Sequence, residues 1–232
     1  MILRVRFNKK HYLRYIGHLD LMRLFQRNFS RAGISIKYSE GFNPQPRLSI
    51  ANPLSLGIES EEEYMDVDLE DKIAVEEFIE KMNKVLPADV QIIDGKYLEK
   101  GDSISSLIAW AVYEIKFDIL EFIDKETLED RIEKWLLKEE IIITRFRKKG
   151  RNRVEKQENI KDFIKEIKLK KIEENNIIIE AILKSGDNGN LRPLDFMDAL
   201  NRDNNLNIDI DSIMMKRLAL YAEENGKIYK PF

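Results

Sequence analysis

The sequence predicts an α+β fold on the strength of two observations. Short segments that alternate apolar and polar residues are interleaved with longer segments whose apolar residues recur at helical spacing. In the first hundred residues these segments come in the order strand, helix, strand, strand, helix, strand, which is the order of a ferredoxin-like domain. The second half allows a similar reading. The sequence therefore predicts two ferredoxin-like halves in tandem, the second of them elaborated.

The first half is predicted as a domain at 1–100. Its opening strand at 2–7 alternates apolar and basic residues, as a strand with one buried face does. A helix is predicted at about 17–32, because its apolar residues fall on one face and Gly33 is a natural stop. The remaining predicted elements are strands at 48–51, 64–69 and 90–98 and a helix at about 73–85 that Pro87 ends.

The second half is predicted as a domain at 107–232, after a joint at about 101–106. A hairpin is predicted where two alternating segments flank Asn175 and Asn176. Pro193 is placed at the start of a short helix. The other predicted elements are strands at about 109–118, 141–146 and 213–222 and a helix at about 125–138.

Composition limits the chemistry of the chain. The sequence contains no cysteine, which excludes disulfides, a thiolate nucleophile and a cysteine-ligated iron–sulfur cluster. It has no apolar run of about 18 residues and no charged leader followed by an apolar segment. We therefore expect a cytoplasmic protein without a membrane span.

Charge is strongly segregated along the chain although the formal net charge is only −3. Residues 1–50 hold ten Lys and Arg against two Asp and Glu, whereas residues 51–102 hold five against fifteen. A second basic stretch, residues 145–172, holds twelve against four. Two separated basic stretches predict a local positive field on an acidic protein.

These basic stretches provide the predicted nucleic-acid interface. On the first helix three arginines recur every four residues, and a basic tip is predicted at 145–156. Aromatic residues that could stack on bases are Tyr12, Tyr15, Tyr38 and Phe42. The competing interpretation is a set of solvated charged faces. The predicted nucleic-acid-binding residues are Arg4, Arg6, Arg23, Arg27, Arg31, Arg145, Arg147, Lys148, Lys149, Arg151 and Arg153.

A proline-rich loop at 38–60 holds half of the six prolines, which fix a backbone path rather than a flexible linker. We expect it to pack against the start of the first helix and form one composite site there. His18 and Asp20 are interpreted as helix-capping residues that tie the loop down, or alternatively as a general base and its partner. The predicted composite site consists of His18, Asp20, Tyr38, Ser39, Gly41, Phe42, Asn43, Pro44, Gln45 and Pro46, without a metal.

Residues 15–31 and 38–60 closely resemble the radical-SAM-linked protein family, and residues 190–195 resemble it weakly. Members of that family recur as partners of, or fusions to, radical SAM proteins. Relatives place a histidine between the two loop prolines where this chain has Gln45, which argues against an imidazole supplied by the loop. The resemblance implies a radical SAM protein as partner. Because this chain lacks cysteine, the 4Fe-4S cluster and S-adenosylmethionine are expected on that partner.

Together these observations predict an accessory module that binds RNA or a ribonucleoprotein such as the ribosome, presents it to a separate radical SAM protein, and has no catalytic activity of its own. One alternative is a metal-independent endoribonuclease with His18 as general base, since the tandem-ferredoxin CRISPR repeat-processing endoribonucleases resemble this architecture. Another is a protein–protein scaffold without nucleic acid, in which the acidic segment 59–63 and the basic tip dock two partners.

Overall fold

The computed structural model describes residues 1–99, 102–149 and 152–232, and its description of side chains leaves out those of 147–149 and 152–153. It confirms a mixed α+β chain, in which strands pair mostly antiparallel and five α-helices occur among the described residues. The chain divides into two compact units. The first contains Met1–Ala111 and Lys216–Phe232, and the second contains Val112–Met215.

The elements of the first unit follow the predicted order. After β1 comes a short 3-10 helix that the sequence did not predict. In chain order the elements are β1 (Ile2–Lys9), the 3-10 helix (His11–Tyr15), α1 (His18–Arg31), β2 (Leu48–Ile50), β3 (Glu59–Asp68), α2 (Val75–Val85), β4 (Ile92–Leu98) and α3 (Ile104–Leu107).

Strand β1 lies between β3 and β4 and pairs antiparallel with both, while β2 pairs antiparallel with β3. Alternate β1 side chains are apolar, so one face of the sheet joins the hydrophobic core of the unit. Helices α1 and α2 cover that face: the Phe7 and Phe25 rings lie 4.9 Å apart edge to face, and the Phe29 and Phe78 rings 6.2 Å apart. The other face of β1 carries Arg4 and Arg6, which therefore point away from the helices.

The later elements are mostly strands, with two α-helices among them. In chain order they are β5 (Ile108–Ile119), α4 (Lys125–Leu136), β6 (Ile142–Lys149), β7 (Asn152–Asn159), a 3-10 helix (Lys161–Phe163), β8 (Ile164–Glu173), β9 (Asn176–Gly186), β10 (Gly189–Asn190), α5 (Pro193–Asn204), β11 (Ile208–Glu224) and β12 (Lys227–Tyr229).

Within the second unit, β8 and β9 form the long hairpin that the asparagine turn predicts, and β9 buries every second side chain. Helices α4 and α5 pack through Trp135 and Phe196, whose rings lie 6.0 Å apart. Strands β6 and β7 form a two-stranded sheet of their own. The basic tip predicted at 145–156 thus belongs to a separate β-ribbon.

The end of the chain belongs to the first unit, whereas the sequence predicts all of 107–232 as one domain. The physical reason is the length of β11. This strand runs for 17 residues, and near its middle Lys216 and Arg217 pair in parallel with Glu59 and Ser60 of β3. Strand β12 then folds back on the end of β11 as a short hairpin.

Candidate functional site

Arg4 on β1 is buried by interactions within the protein. Its Nε and Nη2 atoms donate to the two carboxylate oxygens of Asp66 at 2.7 and 2.9 Å. The same guanidinium donates to the backbone carbonyls of Pro231 and Asp102 at 3.0 and 2.9 Å. With the residue only 2% exposed, Arg4 has no surface left for phosphate. Its assignment as a nucleic-acid-binding residue is therefore wrong for this fold.

Arg6 is also held by acids of the first unit. Its Nη1 atom donates to Glu62 at 3.2 Å, and Nη2 lies 3.7 Å from Asp94. Glu62 additionally accepts the hydroxyl hydrogen of Tyr64 at 3.0 Å and pairs with Lys230. Burial first, and then the adjacent Glu62 carboxylate, raise the pKa of Tyr64 well above its usual range. Arg6 thus belongs to an internal charge cluster rather than to a free basic surface.

Glu63 and Arg217 form a second buried ion pair, which sequence reasoning missed. Arg217 Nε donates to Glu63 at 2.7 Å, and the two side chains are 1% and 2% exposed. Arg217 also donates to the Asn52 carbonyl at 3.0 Å. Nearby, Lys9 donates to the Ile16 carbonyl at 2.9 Å, and burial lowers the pKa of this lysine.

The acidic segment 59–63 is therefore part of strand β3 and is mostly buried. Ser60, Glu62 and Glu63 are buried within the first unit. The segment neutralises cations of the preceding basic stretch, with further pairs from Lys10 to Glu61 and from Arg14 to Glu59. Glu61 keeps a side chain that is 40% exposed, and the docking role of this segment in the scaffold alternative stays a prediction.

Helix α1 presents its arginines differently. Arg23 pairs with Asp20 at 3.1 Å, but both side chains remain more than 60% exposed. Arg31 makes a long hydrogen bond of 3.4 Å to Asn28. Arg27 is exposed, and within the part of the chain that the structure describes it has no partner. All three guanidinium groups can approach a phosphate.

His18 and Asp20 do not cap α1 as one interpretation proposed. Gly17 is the N-cap residue and makes no side-chain cap, while His18 is the first helical residue. Asp20 lies in the first turn, where its charge suits the helix dipole, and it binds Arg23. Histidine and aspartate therefore do not serve as the expected cap.

The tip of the proline-rich loop is a small hairpin with internal bonds. Tyr38 and Pro46 form an isolated bridge, Ser39 N donates to the Gln45 carbonyl at 2.8 Å, and Gln45 N donates to Ser39 Oγ at 2.9 Å. Gly41 has a φ of 125°, which favours glycine at the turn. The chain reverses direction at this turn. Three other residues of the predicted composite site lie at the turn and are exposed: Phe42, Asn43 and Pro44.

Two cations flank this hairpin at its base. Arg47 N donates to the Lys37 carbonyl at 2.7 Å, so the two residues lie opposite each other. Their side chains share one carboxylate, Asp68, at 3.2 Å from Lys37 and 3.5 Å from Arg47. The N-terminal ammonium group also pairs with Asp68, at 2.7 Å. Since three cations share that one acid, the base of the hairpin keeps a net positive charge.

The 3-10 helix connects this loop to β3 and α1. Gly57 N donates to the Arg14 carbonyl at 2.9 Å, and His11 N donates to Glu59 at 3.1 Å. His11 has a φ of 47°, an uncommon conformation for a residue other than glycine. This turn holds Tyr12 and Tyr15 at 84% and 60% exposure. The end of the loop thus meets the segment just before α1, while packing of 39–46 on His18 stays a prediction.

The structure of the β6–β7 ribbon tests the prediction for the basic tip at Arg145. Arg145 is tied down at its base, donating to Asp195 at 3.0 Å, to Glu158 at 2.6 Å and to the Asn190 carbonyl at 3.1 Å. Arg145 is therefore a structural residue. The backbone register pairs Lys148 with Arg153. The other predicted nucleic-acid-binding residues of the tip are not covered by the structure's description of side chains: Arg147, Lys148, Lys149, Arg151 and Arg153.

Two further properties concern the described residues as a whole. Across 1–99, 102–149 and 152–232, His, Asp and Glu form no group of three that could hold a metal ion. In the same ranges, every helix is too short or too polar to pass through a lipid bilayer.

Exposed aromatic residues and exposed cations therefore occur on consecutive elements of the first unit. We call this the aromatic–basic surface, and it includes the 3-10 helix, α1 and the loop hairpin. Its exposed rings can stack on bases and its guanidinium groups can contact phosphate, and the Arg14 guanidinium already lies 4.8 Å from the centre of the Tyr15 ring. Its members are Tyr12, Tyr15, Arg23, Arg27, Arg31, Lys37, Tyr38, Phe42 and Arg47.

Comparison with solved structures gives a match of the fold alone. A chain in the crystal structure of a Cbf5–Nop10–Gar1 complex matches with a TM-score of 0.52 at 8% sequence identity. The match covers 94% of the present chain and 48% of the other, so this chain spans about half the length of the chain it matches. A search of curated proteins gives no match.

A family model covers most of the chain. It matches residues 3–193, which include the aromatic–basic surface, the β6–β7 ribbon and the start of α5. The chain accordingly belongs to the DUF2344 family, which is described as an uncharacterized protein conserved in bacteria.

Proposed function

We propose that this protein is an accessory module that binds RNA or a ribonucleoprotein and presents it to a separate radical SAM protein. The observation that carries the RNA part is the aromatic–basic surface. Single-stranded nucleic acid is bound where cations follow the backbone and exposed aromatic rings stack on the bases. Tyr12 and Tyr15 lie directly before the arginines of α1, so both kinds of group occur on neighbouring elements.

In this proposal the cations hold the phosphates and the loop hairpin meets a base. Arg27 has no acid to compete with phosphate among the described residues, and Arg23 keeps a weak exposed pair. Phe42, fully exposed at the hairpin tip, provides a stacking face. Arg147, Lys148 and Lys149 on the β6–β7 ribbon are proposed as further phosphate contacts, since they are consecutive basic residues of β6 and the register sets Lys148 opposite Arg153.

The radical SAM partnership rests on the sequence resemblance of 15–31 and 38–60. The chain has no cysteine to ligate a cluster, so the partner would supply the 4Fe-4S cluster and S-adenosylmethionine. The fold-level part of the proposal is that both units are ferredoxin-like. In the first unit this is supported by the order β1, α1, β2, β3, α2, β4 and by two helices on one face of the sheet.

Filter binding of labelled single-stranded RNA to the intact chain tests the RNA part. We expect binding that weakens when Arg23 and Arg27 are changed to Glu, with unchanged melting temperature, because exposed substitutions cost within about 0.5 kcal/mol. The same incubation in EDTA separates binding from cleavage. Intact RNA supports an accessory role, whereas metal-independent products lost in His18→Ala would support the endoribonuclease instead.

Co-purification from native lysate tests the partnership. The chain should recover a protein that carries an iron–sulfur cluster and binds S-adenosylmethionine, together with RNA. Recovery of RNA without such a protein would retain the RNA-binding function and remove the radical SAM role.

A further inference from the structure

A groove in the second unit is lined by polar groups that none of the proposals above uses. It has a volume of about 530 Å³, within the range of about 300–1,000 Å³ that is usual for ligand sites. It lies between α4, the loop before α4 and the turn from α5 to β11. The lining residues are Glu121, Arg131, Lys134, Trp135, Lys138, Asp203, Asn204, Asn205 and Asn207.

The walls of this groove are fixed by hydrogen bonds. Trp135 Nε1 donates to Asp203 at 2.9 Å, and Arg131 Nη1 donates to the Asn204 carbonyl at 3.0 Å. On the other side, Leu120 N donates to the Asn207 carbonyl at 2.9 Å, which joins the loop before α4 to the turn. A ligand would therefore meet walls that are already in place, which reduces the entropy lost on binding.

Two asparagines at the turn have left-handed backbone conformations. Asn205, the C-cap of α5, has a φ of 48°, and Asn207 has a φ of 49°. Within the described part of the chain, the side chains of Asn205, Asn207 and Lys138 make no hydrogen bond. Each amide offers one acceptor and two donor hydrogens. The groove thus presents unused amides beside an unused ammonium group.

The balance of charge in the groove is positive. Arg131 and Lys134 line it from α4, and Lys138 lines it from just after the C-cap of that helix. Lys134 is matched by Asp130 at 2.6 Å and Asp203 by Arg202 at 2.7 Å, so the cations left in the lining are Arg131 and Lys138. The remaining acid is Glu121, which is exposed. An anionic ligand is favoured over a cationic one by this imbalance.

Large apolar side chains stand next to the lining residues in sequence. Leu120 and Phe122 flank Glu121 and are 71% and 72% exposed, while Leu137 precedes Lys138 and is 82% exposed. Trp135, by contrast, is 1% exposed and offers no face on which a base could stack. The amides and cations of the groove and these exposed apolar neighbours match a peptide. The backbone amides of a peptide can pair with asparagine, its carboxylates with the cations, and its apolar side chains with the neighbouring apolar residues.

We propose that this groove is a docking site for an extended peptide segment of a partner protein in which acidic residues are combined with large apolar residues. Asn205 and Asn207 bind its backbone, and Lys138 and Arg131 bind its carboxylates. Leu120, Phe122 and Leu137 cover its apolar side chains. This site does not depend on the RNA proposal, because all of its residues lie in the second unit.

The probe is an array of capped hexapeptides that contain two acidic and two large apolar residues in every order. A matched array has lysine in place of the acids. The intact chain is applied to both arrays, and the strongest binders are remeasured in solution by fluorescence anisotropy. We expect acidic peptides to bind and their basic counterparts to fail.

Two pairs of variants then locate the binding. Asn205→Gly with Asn207→Gly removes both amides and keeps the backbone, since glycine adopts positive φ readily; its control is Asn225→Gly, where φ is 50° in a turn outside the groove. Lys138→Gln is compared with Lys125→Gln, since Lys125 begins α4 and does not line the groove. We expect at least about tenfold weaker binding in the groove variants and no change in the controls.

Several outcomes would overturn the proposal. One is equal binding of the acidic and the basic array, and another is undiminished binding in both groove variants. If no peptide binds, or if the asparagine changes weaken single-stranded RNA and leave peptide binding unchanged, the groove is not a site for an acidic peptide.

Discussion

Strand β1 and helix α1 carry cations from the same basic stretch of sequence, but they place them in opposite environments. Arg4 on β1 is buried against Asp66, with its donors directed to acceptors inside the first unit. Arg27 on α1 is exposed and has no partner among the described residues. The difference shows that a positive stretch of sequence becomes a positive surface only where no acid faces it after folding.

The two environments differ because each element packs against a different neighbour. Strand β1 pairs with β3, which contains the acidic segment, and the register sets Arg4 directly opposite Asp66. Helix α1 turns its apolar side to the core, so its arginines face outward. Removing a buried cation should therefore damage the fold, whereas removing an exposed one should damage only binding.

The largest effect is expected at the buried pair of Arg217 and Glu63. Arg217→Met leaves Glu63 charged and unpaired in a buried site, which should reduce the free energy of unfolding by about 3–5 kcal/mol. Urea denaturation measures this loss in the free energy of unfolding. Arg27→Met serves as the exposed control and should stay within about 0.5 kcal/mol.

If the single change prevents folding, a second variant still tests the prediction. Replacing both partners, Arg217→Met with Glu63→Leu, removes the unpaired charge and should recover much of the lost stability. If the single variant is as stable as the wild type, the pair contributes nothing and the contrast between buried and exposed cations fails.

The next largest effect concerns stacking on the aromatic–basic surface. Tyr12→Ala should weaken single-stranded RNA binding by about 1–3 kcal/mol, the usual contribution of one base stacked on an aromatic ring. Tyr229→Ala is the matched control, since Tyr229 is also exposed in the first unit but lies on β12. Equal losses in both variants, measured by filter binding, would mean that Tyr12 has no specific role.

A smaller effect depends on pH through Lys9. Burial lowers the pKa of Lys9 in the folded protein below its ordinary 10.5, so unfolding takes up a proton between the two values. The unfolded state binds more protons in this window, and the stability contributed by Lys9 therefore rises as pH increases towards 10.5. Urea titrations of wild type and Lys9→Met should show the wild type gaining relative stability there.

Parallel curves for the two proteins across this window would show that folding does not shift the pKa of Lys9, and the opposite trend would show that folding raises it. The comparison with Lys9→Met is needed because tyrosines titrate in the same range. Tyr64 in particular has a raised pKa in the folded protein, which makes stability fall at high pH in both proteins alike.

The smallest effect is expected at the exposed pair on α1. Asp20→Asn removes the partner of Arg23, and helix pairs at this spacing contribute about 0.2–0.5 kcal/mol. Thermal unfolding should barely change, while RNA binding should strengthen slightly because Arg23 loses a competing acid. Weaker RNA binding would indicate that Asp20 itself contacts the ligand.

The helices could be predicted from the sequence because their periodicity is local. The expected helix at 17–32 is α1 at His18–Arg31, and the one at 73–85 is α2 at Val75–Val85. The start of β3 was missed, since buried acids do not resemble a strand until their partners are known. Lys216–Phe232 was assigned to the wrong unit for a similar reason, because Arg217 and Glu63 lie 154 residues apart.

The residues of the candidate site also divide into those that the sequence could predict and those that it could not. The exposure of the α1 arginines followed from helical spacing, and the aromatic residues were identified by type. The fates of Arg4, Arg6 and Arg145 could not be predicted, because each depends on acids brought near by strand pairing or by tertiary packing. The 3-10 helix that holds Tyr12 and Tyr15 is too short to leave a periodic signal.

The salt dependence of single-stranded RNA binding tests the central claim most directly, namely that exposed cations of the first unit bind phosphate. Each phosphate contact contributes about −0.7 to the slope of log affinity against log salt. Changing Arg23 and Arg27 to Glu should flatten that slope by about 1.4 and leave the melting temperature unchanged. An identical slope and affinity in the wild type and the variant would contradict the account.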